Sequence, residues 1–271
     1  AGEFWPILSR TDVAQPGIGL ISEGGNVQWD QLLRSRDYGF RYLPKQLIAD
    51  QPEALSAYRV LILPLQSYDG RRKSYPPNFR DGLDDALLNW TKAGGTLVCS
   101  GLPGLHDAYG FENGRLMRQA FGAGISWEYT GQDGYPAWKI KLANREQLVR
   151  DELPGADAPV LISADFGDGR VVVSTEPLLG AKLIHRQMQA VLFRYLHDAI
   201  GLPAASSDRH RFEMVMREDK NGRRYLFIVN PDLHQRIEDL VTVKGEYRQV
   251  TDLGISSICS VPLAPRKPVV I

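Results

Sequence analysis

A single thiol in a glycine turn is the sharpest chemical feature of the sequence. Cys99-Ser100-Gly101 closes the apolar run Thr96–Ser100. A tight turn after a strand is where α/β enzymes present a nucleophile. A cysteine attacks as its thiolate, so it needs a neighbouring histidine to take its proton. The histidines are His106, His185, His197, His210 and His234. His106 stands beside Asp107 shortly after Cys99. An imidazole–carboxylate pair of this kind can orient a ligand hydroxyl or a proton. His185 and His197 fall on the last helix of the α/β pattern and read as surface or hydrogen-bonded positions. The competing reading of Cys99 is a small buried residue at a strand end.

Other chemistry is thinner. Carboxylates occur at Glu23, Asp107, Glu128 and Glu176, but no motif pairs them. Glycoside hydrolysis requires two carboxyl groups roughly 5–9.5 Å apart across the scissile bond. Glu23 and Asp107 each follow a predicted strand, so they could share the edge where parallel sheets bind ligands. The tryptophans Trp5, Trp29, Trp90, Trp127 and Trp138 offer flat faces for sugar stacking. Trp90 lies on an apolar helix face and reads as core. Trp29 follows the first strand, near the ligand edge, and is the one raised as a binding residue. The candidate binding set is therefore Glu23, Trp29, His106 and Asp107. No spacing suggests a metal site, and no cofactor is expected. Glycine pairs at Gly24-Gly25 and Gly94-Gly95 belong to no phosphate-binding motif. Arg71-Arg72-Lys73 reads as a solvated loop.

Composition narrows the partners. The chain has 271 residues, enough for one or two domains. Hydrophobic residues make up 43% and charged residues 24%, with 32 basic and 32 acidic side chains. That balance offers no global field for nucleic acid or an anionic membrane. Cys99 and Cys259 are far apart, which argues against a disulfide framework and fits a reducing compartment or an export route that needs no disulfides. No apolar run approaches the ~18 residues of a membrane span. No charged-then-apolar leader is visible, and Ala1-Gly2-Glu3-Phe4 reads as an added leader. A soluble protein, bacterial cytoplasmic or exported, is the expectation.

The elements that must position these residues alternate from Gly17 to Ile200. Gly17–Ser22, Phe40–Leu43, Arg59–Leu65 and Thr96–Ser100 are short apolar runs of the buried parallel type. Helices are predicted over Val27–Arg36, Phe79–Ala93 and Leu116–Phe121. Further strands are predicted at Ile125–Tyr129, Trp138–Leu142, Val160–Ala164 and Arg170–Thr175, the last two joined by a Gly167-Asp168-Gly169 hairpin. Ala181–Ile200 carries the best helical stripe. This rhythm predicts a parallel sheet flanked by helices. Ala204–Asp208 reads as a linker. Strands follow at Phe212–Arg217, Arg224–Asn230, Ile237–Val243, Arg248–Asp252, Ser257–Val261 and Pro268–Ile271, as a small antiparallel β-sandwich. Lys220-Asn221-Gly222 is a hairpin turn with Asn-Gly in the positive-φ positions. The expected organisation is a connector over 1–16, an α/β domain over 17–203 and a β-domain over 208–271.

Two family resemblances sharpen this. Val98-Cys99-Ser100-Gly101 is similar to the Cys-x-Gly turn of class I glutamine amidotransferases. The fold expected is thus a flavodoxin-like, amidotransferase-like parallel sheet. That family draws its histidine from a later strand end, in a His-Pro-Glu context. Here the equivalent stretch is Val173-Ser174-Thr175-Glu176-Pro177, with a hydroxyl residue where the histidine should be. More of the chain resembles the β-galactosidase trimerisation domain of family 42 glycoside hydrolases. The resemblance rests on Tyr58–Pro64, Trp90–Val98, Gly101–Gly110 and Phe121-Gly122-Ala123. Arg224–Asn230 and Tyr247–Leu253 match the strand style of those enzymes' final β-domain. The resemblance implies an amidotransferase-like fold without amidotransferase chemistry. Those hydrolases carry their two catalytic glutamates on an upstream (β/α)₈ barrel, and none of these is carried onto this sequence. The leading reading is a non-catalytic accessory region serving assembly, with carbohydrate, a neighbouring barrel domain or other copies of the chain as partners. The rivals are a free-standing hydrolase or amidotransferase using Cys99, and a carbohydrate-binding module.

Overall fold

The computed structural model describes residues 9–14, 17–21, 27–64, 82–103, 114–130, 138–143, 151–154, 159–175, 183–209, 212–229, 240–244 and 269–270. It contains two compact units. One comprises the described residues of 17–26 and 41–201; the other comprises those of 1–16, 27–40 and 202–271.

The larger unit is built on a mixed sheet of β2 (Ile18–Ile21), β3 (Arg41–Leu43), β4 (Val60–Leu63), β5 (Thr96–Ser100), β8 (Asp151–Pro154), β9 (Pro159–Phe166) and β10 (Gly169–Ser174). Their spatial order is β3-β2-β4-β5-β10-β9-β8. β3, β2, β4, β5 and β10 run parallel, while β9 is antiparallel to both β10 and β8. The central strands are apolar along their whole length because both faces are covered. Val60, Leu61, Ile62 and Leu63 are all buried, as are Leu97, Val98, Val171, Val172 and Val173. Each such side chain contributes about 1.5–3 kcal/mol on leaving water.

Strand parity divides the core. Leu61, Leu63, Leu97, Cys99, Val171 and Val173 share one face. They form a cluster with Leu83 and Leu87 of α3 (Leu83–Lys92) and with Leu116 and Phe121 of α4 (Arg115–Phe121). Leu55, in the 3-10 turn Pro52–Ala57 that follows α2 (Lys45–Asp50), joins this layer. It accepts a hydrogen bond from Trp90 Nε1 at 2.9 Å. The opposite face carries α5 (Leu183–Ile200), whose Met188, Leu192, Tyr195 and Leu196 are buried. Tyr195 Oη and Ser163 Oγ are hydrogen-bonded at 2.7 Å. α3 closes with Gly94 at φ +110° and the Gly95 amide donating to Trp90 O, a Schellman stop.

The β9–β10 turn is the predicted glycine hairpin, with Gly167 at φ +63°. It fits tightly under the end of α3. Asp168 N donates to Lys92 O at 2.9 Å and Arg170 N to Gly95 O at 3.0 Å. A methyl on Gly169 would fall on the Thr91 and Gly95 carbonyl oxygens. A separate hairpin pairs β6 (Ser126–Tyr129) with β7 (Trp138–Lys141).

The smaller unit holds α1 (Val27–Arg34) and two antiparallel sheets of three strands each, among the described residues. β1 (Thr11–Val13), β12 (Glu213–Asp219) and β13 (Arg224–Val229) form one; β11 (Ala205–Ser207), β14 (Leu240–Val243) and β15 (Val269–Val270) form the other. Residues 11–13, expected in a connector, are thus an edge strand. Arg217 holds them, with Nε donating to Thr11 Oγ1 at 2.8 Å and Nη2 to Thr11 O. Residues 205–207, expected in a linker, pair with β14. The turn that follows α1 ends on Asp37, a non-glycine residue at φ +61°. Tyr38 N donates to Leu33 O, and Ser207 N donates to the Asp37 carboxylate at 2.9 Å. The β12–β13 turn departs from the expected Asn-Gly geometry, since only Gly222 takes a positive φ. Asp219 organises it by accepting from the amides of Asn221 and Arg223 at 2.8 and 2.9 Å. These bonds, that of Arg223 foremost, hold its carboxyl below the usual range. Strands expected at Arg248–Asp252 and Ser257–Val261 lie outside the described residues.

Candidate functional site at the carboxyl edge of the sheet

Parallel sheets bind ligands beyond the carboxyl ends of their strands. Two of those ends are described in detail here. β5 finishes at Ser100, and Gly101 turns the chain at φ +75°. Its amide donates to Ser174 O at 2.7 Å, which ties the end of β5 to the end of β10. Register places Cys99 beside Leu63 on one side and Val173 on the other, and Ser100 beside Ser174. The stretch expected next to the thiol is therefore adjacent to it.

The geometry does not display the thiol. Cys99 lies within β5 rather than on the turn, faces the α3–α4 layer, and is 1% exposed. Burial pushes its pKa far up, because a thiolate there would be stripped of water. The neighbouring hydroxyls are no bases. Ser174 Oγ donates to Cys99 O at 3.5 Å and Thr175 Oγ1 to Pro159 O at 3.0 Å, both buried. An activated cysteine needs an electropositive, partly open surrounding, and this one has a dry aliphatic one.

The remaining sequence candidates divide. Trp29 is described on α1 and is 3% exposed, so its ring offers no open stacking face. Glu23, His106, Asp107 and Glu176 lie outside the described residues. Glu128 is on β6, exposed and opposite Lys139.

Two further features of this edge lie outside the binding set chosen from the sequence. The first is the β6–β7 hairpin, attached here because Trp138 N donates to Thr175 O at 3.1 Å. Register puts Trp127 and Trp138 on one face of it, half-buried against the core. Arg118 lies over the Trp127 ring, 5.3 Å from its centroid. The second is His185, in the first turn of α5. It is neither a surface nor a satisfied position: it is 8% exposed, and its Nδ1 has no hydrogen-bond partner. The signal was available, since position 185 lies on the same helical stripe as Met188 and Leu192.

Among the described residues no group of three or more His, Cys, Asp or Glu side chains could hold a metal ion. No described helix is long and apolar enough to cross a membrane.

Comparison with known proteins agrees with the architecture. No family model matches the chain, and no curated protein matches its sequence. Solved structures do match. A β-galactosidase from Bacillus circulans sp. alkalophilus superposes with a TM-score of 0.59 at 16% identity, over 87% of this chain and 38% of that one. The chain is similar in fold to part of a family 42 β-galactosidase. The β-galactosidase of Rahnella sp. R3 gives a TM-score of 0.58 at 14% identity, over 88% of this chain and 38% of its own. A catalytic mutant of a GH42 β-galactosidase from G. stearothermophilus gives 0.55 at 15%, over 85% and 36%. The chain thus spans less than two fifths of the length of these relatives. The resemblance to family 42 enzymes read from the sequence is present in the fold.

Proposed function

We propose that this chain is a non-catalytic accessory region of a glycoside hydrolase or related carbohydrate-active protein, serving assembly. The observation that carries the proposal is the asymmetry of coverage. Nearly all of this chain aligns with little more than a third of each β-galactosidase. The five parallel strands, taken in chain order, lie as 2-1-3-4-5, the order of flavodoxin-like sheets. That order supports an amidotransferase-like α/β domain, and the three-stranded antiparallel sheets support the β-sandwich reading of the C-terminal part. Burial of Cys99 disfavours amidotransferase or esterase chemistry. The closed surroundings of Trp29 disfavour that residue as a sugar platform.

The test is direct. The purified chain is assayed on aryl-β-galactosides and a panel of oligosaccharides, and its mass in solution is measured by light scattering. No turnover, with self-association or binding to a separately expressed (β/α)₈ hydrolase domain, is expected. Turnover abolished by Glu23→Gln or Asp107→Asn would show an enzyme in its own right.

A further inference from the structure

We infer that the amino end of α5 is an oxyanion site, taking the carboxylate or phosphate group of a small molecule. The direction of α5 places that end. Its last residue, Ile200, lies against Gly17 at the start of β2, where an added methyl would meet Ile200 Cγ2 at 3.1 Å. Tyr195 bonds Ser163, which pairs with Val172 in the middle of the sheet. The helix therefore runs from the carboxyl edge to the amino edge, antiparallel to the parallel strands. His185 is ten residues before Tyr195, about 15 Å nearer the carboxyl edge along the axis.

The groups gathered there are donors. The first N–H groups of a helix have no partner within it, and the aligned peptide dipoles add about half a positive charge. α5 is 18 residues long, so this effect is well developed. His185 shares the stripe of Met188, Leu192 and Tyr195, so its ring faces the sheet layer, and it is more than nine-tenths buried. Its Nδ1 has no partner. A buried polar atom without a partner destabilises the fold, and a ligand oxygen accepting from Nδ1–H removes that cost. Ser100 and Ser174, side by side at the ends of β5 and β10, share strand parity with Val98, Val172 and Ser163, hence the α5 face, but the Ser174 hydroxyl already donates to Cys99 O. The helix amides and the imidazole N–H are the groups that match an oxyanion.

The experiment uses the full chain with histidine labelled in both ring nitrogens. Long-range proton–nitrogen spectra are followed at constant ionic strength during titration with inorganic phosphate, acetate or glucuronate, with chloride as the control. One imidazole Nδ1 should shift saturably with an oxyanion and not with chloride, and the thermal midpoint should rise in parallel. His185→Leu should abolish both responses. Response to phosphate alone assigns a phosphorylated ligand; response to acetate or glucuronate assigns a carboxylate. An unmoved His185 resonance with every anion overturns the inference, whether or not His185→Leu folds. So does a midpoint shift that persists in a folded His185→Leu chain.

Discussion

Cys99→Ala should flatten the alkaline loss of stability. The folded thiol is held protonated by burial, while the unfolded thiol titrates near its ordinary value. Below that value both states carry the proton and pH has no effect through this group. Above it the unfolded state gives up its proton and the folded state does not. The unfolded state then binds fewer protons, so stability falls as pH rises. For an unfolded thiol pKa of about 8.5, the difference between pH 8 and pH 10 works out at about 2 kcal/mol. The folded value does not enter, because it lies well above this window.

The assay is urea unfolding by far-ultraviolet circular dichroism at both pH values, in a Cys259→Ser background so that one thiol is varied. Tyrosine and lysine titrations are common to both chains and cancel in the difference. The chain retaining Cys99 should lose about 2 kcal/mol more than Cys99→Ala over that interval. Equal losses would mean that Cys99 ionises in the folded protein as readily as in the unfolded one. Cys99 would then be open to ionisation in the folded chain and again a candidate nucleophile.

Three further predictions follow from the packing. In the Cys259→Ser chain at neutral pH, iodoacetamide should label Cys99 at least about a thousandfold more slowly when native than in urea, since β5 is paired on both sides and opens only with much of the core; labelling within a few-fold of the urea rate would contradict this. Gly169→Ala should cost about 3–5 kcal/mol, because its methyl would displace the β9–β10 turn from the Thr91 and Gly95 carbonyls, whereas Gly222→Ala, with nothing within 4 Å, should cost only the strain of its φ of +76°, about 1 kcal/mol; chemical denaturation compares the two. At Asp37 the loss should increase from Asn to Gly to Ala, reaching about 2–4 kcal/mol for Ala, because only Ala forfeits both the bond to Ser207 N and tolerance of a positive φ; an alanine chain as stable as the asparagine one would remove the carboxylate from the account.

The parts of the fold legible in the sequence were those written by burial on both faces. Val60–Leu63, Thr96–Ser100 and Gly169–Ser174 are strands whose middle residues are apolar on both faces, as burial between two helical layers favours, and such runs leave little choice. β1, β8 and β11 were missed for the opposite reason. Thr11-Asp12-Val13, Asp151–Pro154 and Ala205-Ser206-Ser207 are short and carry polar residues, and each is a strand only because a partner supplies its hydrogen bonds, a distant one for the first and last and the following strand β9 for Asp151–Pro154. The β12–β13 turn was placed correctly but its geometry was not. Asn-Gly usually takes two positive φ angles, yet here the Asp219 carboxylate caps the turn, and Gly222 alone enters that region. At the site, the hydroxyl beside the thiol was read from the sequence, while the polar role of His185 was not. A histidine on an apolar stripe looks like any buried residue until its ring nitrogen is found without a partner.

Parity explains why the most reactive atom in the sequence is not where the chemistry gathers. Consecutive residues of a strand point to opposite faces. At the end of β5 this sends Cys99 into the aliphatic layer under α3 and α4 and Ser100 to the α5 side. β10, in register, sends Val173 to the first side and Ser174 to the second. The sheet therefore sorts its last two rows, with thiol and valine in the dry layer and two serines in the layer that His185 and the α5 amino end also face. A nucleophile at position 99 would have to leave the strand and break its pairing with both β4 and β10 to reach solvent. A ligand at the amino end of α5 needs no such break, because it would meet the helix amides and the unpartnered Nδ1 of His185 rather than a paired strand. The search for function at this edge belongs on the α5 side, at His185, and the inert thiol marks the side to leave alone.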